Sequence, residues 1–382
     1  MGVGRSQHQL SKALALKIAI IAHFRYAIAE PFAGGLEMHT HLLAKSLRNR
    51  GHDVTLFASL KSDQDLGLEA ICEETSLLQT GLAEAGDVTF FREHHAYLRL
   101  MTMLQERSFD VVHNNSLHYL PLTMAATLRA PTVTTLHTPP FCWLESGVRL
   151  GRQANTIVAV SQATADMWRG VAHVDGVIPN GIELDLFPFS PRAAATPYLV
   201  WYGRIVPEKG LHLAIDAARA CGLPLKFAGP RSDPRYFDAE IAPRLEDGVD
   251  YVGHLAHREL AQLIGGARAA ICTPCWEEPY GLVVAEAVAT GTPVAAFRRG
   301  GIPEILDETC GALAEPGDVA SLVEAIRRAL SLDRAACRRR AERYCDARTM
   351  VDAYERLYRD LIEVRAAVAE RPAGGVAYAV SA

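Results

Sequence analysis

Two carboxylates, Glu278 and Glu286, lie in the stretch AAICTPCWEEPYGLVVAEAVATGTPVAAFRRGGIPEILD, which runs from Ala269 to Asp307. Ala269 to Thr273 reads as a short buried strand that Pro274 stops. Gly281 to Ala289 reads as an apolar helix ending at Gly291-Thr292-Pro293. This pattern turns both carboxylates toward one cleft, Glu278 from a loop and Glu286 from a helix. Paired carboxylates suit acid–base work, although either glutamate alone is more often a cap or a surface charge. Upstream, Gly203-Arg204-Ile205-Val206-Pro207-Glu208-Lys209-Gly210 sits directly after a strand and before a helix. A guanidinium fork and an ammonium on a glycine-bounded loop can bracket a diphosphate from two sides, whereas an isolated pair is a surface feature.

The first half holds a second place for an anion. Gly34-Gly35 opens the periodic helix LEMHTHLLAKSLRNRG, which ends at Gly51. Paired glycines there let backbone amides approach a phosphate, and the helix dipole favours it. The dinucleotide fingerprint G-x-G-x-x-G is absent, which counts against an NAD or FAD enzyme. His113, His118 and His137 lie at or just beyond strand ends, where open α/β sheets bind ligands. For His113 and His118 a loop hydrogen bond is the favoured reading; for His137 it is ligand contact. Cys272 and Cys275 form a C-x-x-C, but a zinc site needs a second pair or two histidines, and a redox pair needs a helix N-terminus directly after the first cysteine. Neither metal nor redox chemistry is expected from the eight cysteines, which lack the spacing of a disulfide framework.

The elements that position these groups alternate strand and helix. Lys17–His23 and Asp53–Ala58 flank the first helix as a βαβ unit. Asp110–His113, Pro131–His137, Thr156–Ser161 and Val177–Pro179 continue the series, with Ser161 or Thr164 capping a helix. Phe187 to Pro197, rich in proline and alanine, reads as a linker. The alternation then restarts with Tyr198–Tyr202, a helix from Gly210 to Ala220, Leu225–Ala228, Tyr251–Val252 and a helix from Arg258 to Ala267. The expected fold class is α/β, two Rossmann-like doubly wound parallel-sheet domains facing across a cleft. The expected bounds are 1–190 for the first domain, 191–345 for the second, a helix over 346–370 crossing back to the first domain, and a mobile tail at 371–382. Arg327, Arg328, Arg334, Arg338, Arg339, Arg340 and Arg343 read as a solvated helix face, with a peripheral anionic-membrane contact as the alternative.

The 382 residues carry 49% hydrophobic and 22% charged residues and a formal net charge of −5, a soluble globular composition with no attraction for nucleic acid. The N-terminal stretch shows neither a signal peptide nor a transmembrane span, so a cytoplasmic location is expected, with the inner membrane face as a peripheral option.

YGRIVPEKG, EEPYGLVVAEAVATGTPV, RGGIPEIL, VIPNGI and GGLEMHTHLLAKSL together resemble a retaining, nucleotide-sugar-dependent glycosyltransferase of family 4 with the GT-B fold, from about Lys17 to Tyr358. The E-x7-E signature Glu278…Glu286 carries the resemblance most specifically. It implies that Arg204 and Lys209 hold the donor diphosphate, that Glu286 accepts from the ribose hydroxyls, and that Glu278 faces the donor sugar. It further implies that Gly35 reaches the phosphate across the cleft and that His137 contacts the sugar. The amides of Gly281, Leu282 and Val283 would add donors at a helix N-terminus, Gly203 would also belong to the donor site, and the base would lie near Val252 to Leu255. The first domain (1–190) would be the acceptor side, facing the second, donor-side domain (191–345). On this resemblance Glu278 and Glu286 are binding groups, not a glycosidase pair; substitution is front-face, and no metal or cofactor is required. Pro279-Tyr280 stands where many members have Gly-Phe and points to a UDP-hexose donor over GDP-mannose. The acceptor, a small molecule, glycan or lipid, would meet loops carrying His113, Asn114, His118, Phe141 and Trp143. A nucleotide-sugar isomerase, a non-catalytic nucleotide-sugar binder and a pyridoxal-phosphate phosphorylase on the same fold are the competing readings.

Overall fold

The computed structural model describes residues 15–23, 25–71, 87–245 and 248–369. The expectation for 371–382 lies outside the described residues. Short β-branched and aromatic runs form two wholly parallel sheets. The first contains β1 (Lys17–Ile21), β2 (Asp53–Ala58), β3 (Leu68–Ala70), β4 (Val111–Asn114), β5 (Thr132–Leu136), β6 (Asn155–Ala159) and β7 (Gly176–Val177), in the order β3-β2-β1-β4-β5-β6-β7. The second contains β8 (Leu199–Tyr202), β9 (Leu225–Ala228), β10 (Val249–Tyr251), β11 (Ala269–Cys272), β12 (Val294–Phe297) and β13 (Gly311–Ala314), in the order β10-β9-β8-β11-β12-β13. The central strands are buried on both faces because helices cover each side.

Around the first sheet lie α1 (Gly35–Asn49), α2 (Val88–Glu106), α3 (Tyr119–Thr123), α4 (Cys142–Gly151) and α5 (Gln162–Trp168). Around the second lie α6 (Leu211–Cys221), α7 (His257–Gly266), α8 (Leu282–Thr290), α9 (Ile302–Ile305), α10 (Val319–Ala329) and α11 (Arg334–Tyr344). Strand order reverses between β1 and β4 in one sheet and between β8 and β11 in the other. Open α/β sheets bind ligands outside the carboxyl ends of the strands at such reversals. The loops that leave β1, β8 and β11 carry Gly35, Arg204 with Lys209, and Glu278.

The last helix, α12 (Ala347–Ala369), packs Met350, Val351, Tyr354 and Tyr358 into the core formed by Ile18, Val111 and Val133 of the first sheet and Leu43 of α1. His113 is fully buried beneath it. Its Nδ1 lies 2.6 Å from the Tyr358 hydroxyl and its Nε2 lies 2.8 Å from Thr135 Oγ1. Asn114 is also fully buried, so neither residue can meet an acceptor as an exposed loop residue would.

The arginine-rich stretch needs a second correction. Arg334 donates to the carbonyls of Ser190, Gly265 and Ala267, at 2.7, 2.6 and 2.9 Å. Arg338 reaches those of Phe187 and Ala289, at 2.9 and 3.0 Å, and Arg340 those of Ile305 and Glu304, each at 2.8 Å. These long side chains run over apolar surface and satisfy carbonyls at helix ends, which periodicity cannot show. Arg327, Arg328, Arg339 and Arg343 remain exposed. Among the described residues no helix is long and apolar enough to cross a membrane.

Candidate active site

The loop after β8 is fastened to the loop after β11. Gly210 has φ +65°, and a Cβ there would stand 2.2 Å from the Thr273 carbonyl oxygen. Only glycine fits that approach. Thr273 Oγ1 lies 2.9 Å from the Gly210 carbonyl oxygen and accepts from Trp201 Nε1 at 3.2 Å. Cys275 N donates to the Glu208 carbonyl at 2.8 Å. The chain is thereby fixed on both sides of Lys209. Arg204 is exposed, and its guanidinium has only a loose pairing with Glu208 at 3.8 Å. Gly203, with φ +145°, turns the chain out of β8 just before it.

Lys209 Nζ lies 2.5 Å from Glu278 Oε2, and the Trp276 indole donates to the same oxygen at 3.0 Å. The ammonium also sits 5.2 Å from the centre of the Trp276 ring. Glu278 Oε1 has no protein partner among the described residues. Behind it, Gly301 N donates to the Glu278 carbonyl at 2.8 Å, and a Cβ at Gly300 would stand 1.9 Å from that oxygen. Glu277 holds the same glycine turn through Arg299 at 2.7 Å and Gly300 N at 2.8 Å, an ion pair that keeps its carboxyl below the usual carboxylate range. The motif reading missed Trp276, although a tryptophan two residues before a carboxylate is a visible signal. Trp276→Phe keeps the ring and removes the donor; turnover should fall about tenfold through loss of a hydrogen bond to a charged group, with the melting temperature unchanged. Unaltered turnover would show that the indole does not orient Glu278.

Glu286 lies on the buried side of α8 and is 5% exposed. Desolvation pushes its pKa up to about 8, opposed by the neighbouring Tyr202 hydroxyl. Tyr202 donates to the Val283 carbonyl; burial and the Glu286 carboxyl raise its own pKa. The helix starts from Gly281 at φ +103°. The amides of Gly281, Leu282 and Val283 find no protein acceptor among the described residues, as expected of a first helical turn. Gly35, at the N-terminus of α1, faces this turn so closely that a Cβ would stand 2.7 Å from Leu282 Cδ1. Two helix N-termini are therefore apposed, a pairing suited to a multiply charged anion. Leu255, after β10, packs half-buried against the same core as Leu282 and Val283.

His137 ends β5 and is 8% exposed. Its Nε2 lies 3.0 Å from Asn115 Oδ1, and its ring meets His39 edge-on with centroids 4.7 Å apart. Burial, with His39 and His113 nearby, holds its pKa well below 6.5. The ring is a neutral hydrogen-bonding group at pH 7. Nδ1 is left without a protein partner among the described residues. The two sheets' layers also touch directly beside Glu278: Ser161 Oγ, which caps α5, and Thr164 Oγ1 reach the Pro279 carbonyl at 2.5 and 3.0 Å. Glu304 of α9 accepts from Gln162 N and Ala163 N of α5 at 2.9 and 2.8 Å.

Residues 33–186 match the sequence profile described as Glycosyltransferase Family 4, and residues 185–344 match that of glycosyl transferases group 1. Glycogen synthase of Mycobacterium tuberculosis is 30% identical over 81% of this chain and 85% of its own. The chain belongs to glycosyltransferase family 4. D-inositol 3-phosphate glycosyltransferase of Mycolicibacterium smegmatis is 30% identical over 85% of both chains. The phosphatidyl-myo-inositol mannosyltransferase of Propionibacterium freudenreichii is 29% identical over 80% of this chain and 84% of its own. Among solved structures, Anabaena HepE in complex with UDP and glucose superposes with a TM-score of 0.72 at 20% identity, over 90% of this chain and all of its own. The fold is thus GT-B, and the protein is a glycosyltransferase.

Proposed function

We propose that this glycosyltransferase moves a hexose from a UDP-hexose, UDP-glucose first among them, to an acceptor hydroxyl with retention of anomeric configuration. The observation that carries the reading is the close approach of the α1 N-terminus to that of α8, with Lys209 paired to Glu278 on the loop just before α8. A nucleoside diphosphate sugar fits that sequence of groups. Glu286 would accept from the ribose diol, the cations and amides would hold the diphosphate, and Glu278 Oε1 would accept from a sugar hydroxyl. His137 would offer Nδ1 to the sugar, and backbone groups near Leu255 would meet the base.

As the glycosyl–phosphate bond breaks, negative charge grows on the diphosphate and positive charge on the ring. Arg204, Lys209 and the amides of Gly35, Gly281, Leu282 and Val283 stabilise the first in a site from which the apposed layers exclude water. The acceptor oxygen bonds the anomeric carbon from the face the phosphate leaves, and the departing phosphate oxygen takes the acceptor proton. Glu278 is engaged by Lys209 and Trp276 and acts as a positioning group, not a nucleophile.

Pro279-Tyr280 and the likeness to HepE, solved with UDP and glucose, support the uridine donor. The mannosyltransferase relatives make GDP-mannose the donor to test against. In thermal-shift measurements UDP and UDP-glucose should raise the melting temperature, and GDP-mannose should not. Stabilisation by GDP-mannose alone would replace the donor assignment.

A further inference from the structure

Beyond the donor space, the first sheet's layer presents a wall of rings that no step above uses. Trp143 of α4 is 53% exposed and stacks on Tyr119 with centroids 5.8 Å apart and planes inclined by 22°. Phe90 of α2, 38% exposed, meets Trp143 at 5.5 Å. His94 joins the two, stacked on Phe90 at 5.8 Å with its Nδ1 2.9 Å from the Tyr119 hydroxyl. Behind Tyr119 lies His118, 4.7 Å from it and 4.4 Å from Tyr97. Its Nδ1 accepts from Leu120 N at 3.2 Å, whereas Nε2 is buried without a partner.

Large rings from separate helices, held side by side and left open to solvent, forgo burial that the fold would otherwise gain, which marks a binding surface. Its place is informative. Tyr119 follows β4 and Trp143 follows β5, so the wall stands at the carboxyl edge that also carries His137. Asn115, which holds His137, is three residues before His118 and keeps an unpartnered buried Nδ2. Its charge is informative too. Arg25, the cation that bears on His118, is held by Glu93 at 3.0 and 2.5 Å. The wall therefore offers ring faces interleaved with hydrogen-bonding groups, and Arg25 beside it is already ion-paired, which suits it poorly to a phosphate or anionic lipid head. Pyranose rings, with apolar C–H faces and polar rims, match that composition.

We infer that this wall is the acceptor subsite and that the acceptor is an uncharged oligosaccharide, stacked on Trp143 and Phe90 with its terminal hydroxyl directed toward His137. The inference rests on the transferase reading. The test titrates the full chain, without nucleotide, with maltotetraose, cellotetraose and mannotetraose, and in parallel with inositol phosphate and with phosphatidylinositol vesicles, following tryptophan fluorescence and saturation-transfer NMR. At least one tetrasaccharide should bind, and Trp143→Ala or Phe90→Ala should weaken it by about tenfold or more, with UDP affinity unchanged. Both side chains are exposed, so the variants retain the core. The inference is overturned if no tetrasaccharide binds, if both variants bind it as the native chain does, or if inositol phosphate or the vesicles bind in a Trp143-dependent manner instead. Absence of UDP binding by the native chain would strike the donor reading separately, because the saccharide titration contains no nucleotide.

Discussion

Replacing Arg204 or Lys209 with alanine lowers turnover by about 10²–10³-fold, the scale of a lost preorganised electrostatic stabiliser. Arg204 is exposed and loosely paired, so its removal leaves the fold intact and deletes the fork available to the leaving diphosphate. Lys209 has a second role. It holds Glu278 Oε2 at 2.5 Å in a partly buried site, and its loss leaves that carboxylate with the Trp276 indole alone. Lys209→Ala should therefore depress turnover further than Arg204→Ala and also raise the KM for the donor. Steady-state kinetics on both variants, with circular dichroism as the folding control, check this. Turnover within a few-fold of the native value in both would remove the proposed leaving-group stabilisation.

Glu286→Gln produces the second large effect and adds a pH signature. With a pKa of about 8 in the ligand-free protein, Glu286 is largely neutral at pH 7. Ribose hydroxyls that donate to it favour the carboxylate, so binding lowers its pKa and releases a proton. Affinity for UDP should then rise with pH and level off above about 8. Stability runs the opposite way. The folded-state pKa lies above the ordinary value of 4.5, so the contribution present below that pH is lost as pH rises through about 8. Glu286→Gln should weaken UDP binding about tenfold or more, abolish the proton release measured by calorimetry in buffers of different ionisation enthalpy, and flatten both pH dependences. Retention of proton release by the variant would assign that proton to another group.

Much of this was legible in the chain itself. Runs such as KIAII and AAIC are continuous apolar strands that only a two-sided parallel sheet buries, and glycines mark the loops leaving β1 and β8. The resemblance singled out Gly35, Arg204, Lys209 and Glu286, and all four lie on the loops or first helical turns that leave the carboxyl ends of β1, β8 and β11. What escaped depended on tertiary context. α2 went unassigned because its histidines and arginines blur an apolar face, Ala96, Tyr97, Leu100, Met101 and Leu104, that is plain once packed. β3 is three residues long, too short for any period, whereas β7 (Gly176–Val177) overlaps the expected Val177–Pro179. His113 sits at a strand end like His137, yet α12, some 240 residues later, covers it with Tyr358. The arginines of α11 read as surface because nothing local shows the carbonyls they reach. Trp276 and Tyr202 act through neighbours that only the fold supplies.

The proposed reaction moves a hexose from a UDP-hexose with retention. It is tested most directly by incubating the native chain with UDP-glucose labelled at the anomeric carbon and the tetrasaccharide that binds it, and following the anomeric signals by NMR. UDP should be released in step with a new α-configured glycosidic signal on the oligosaccharide. A β-configured product, or a second nucleotide sugar formed without release of UDP, would contradict it.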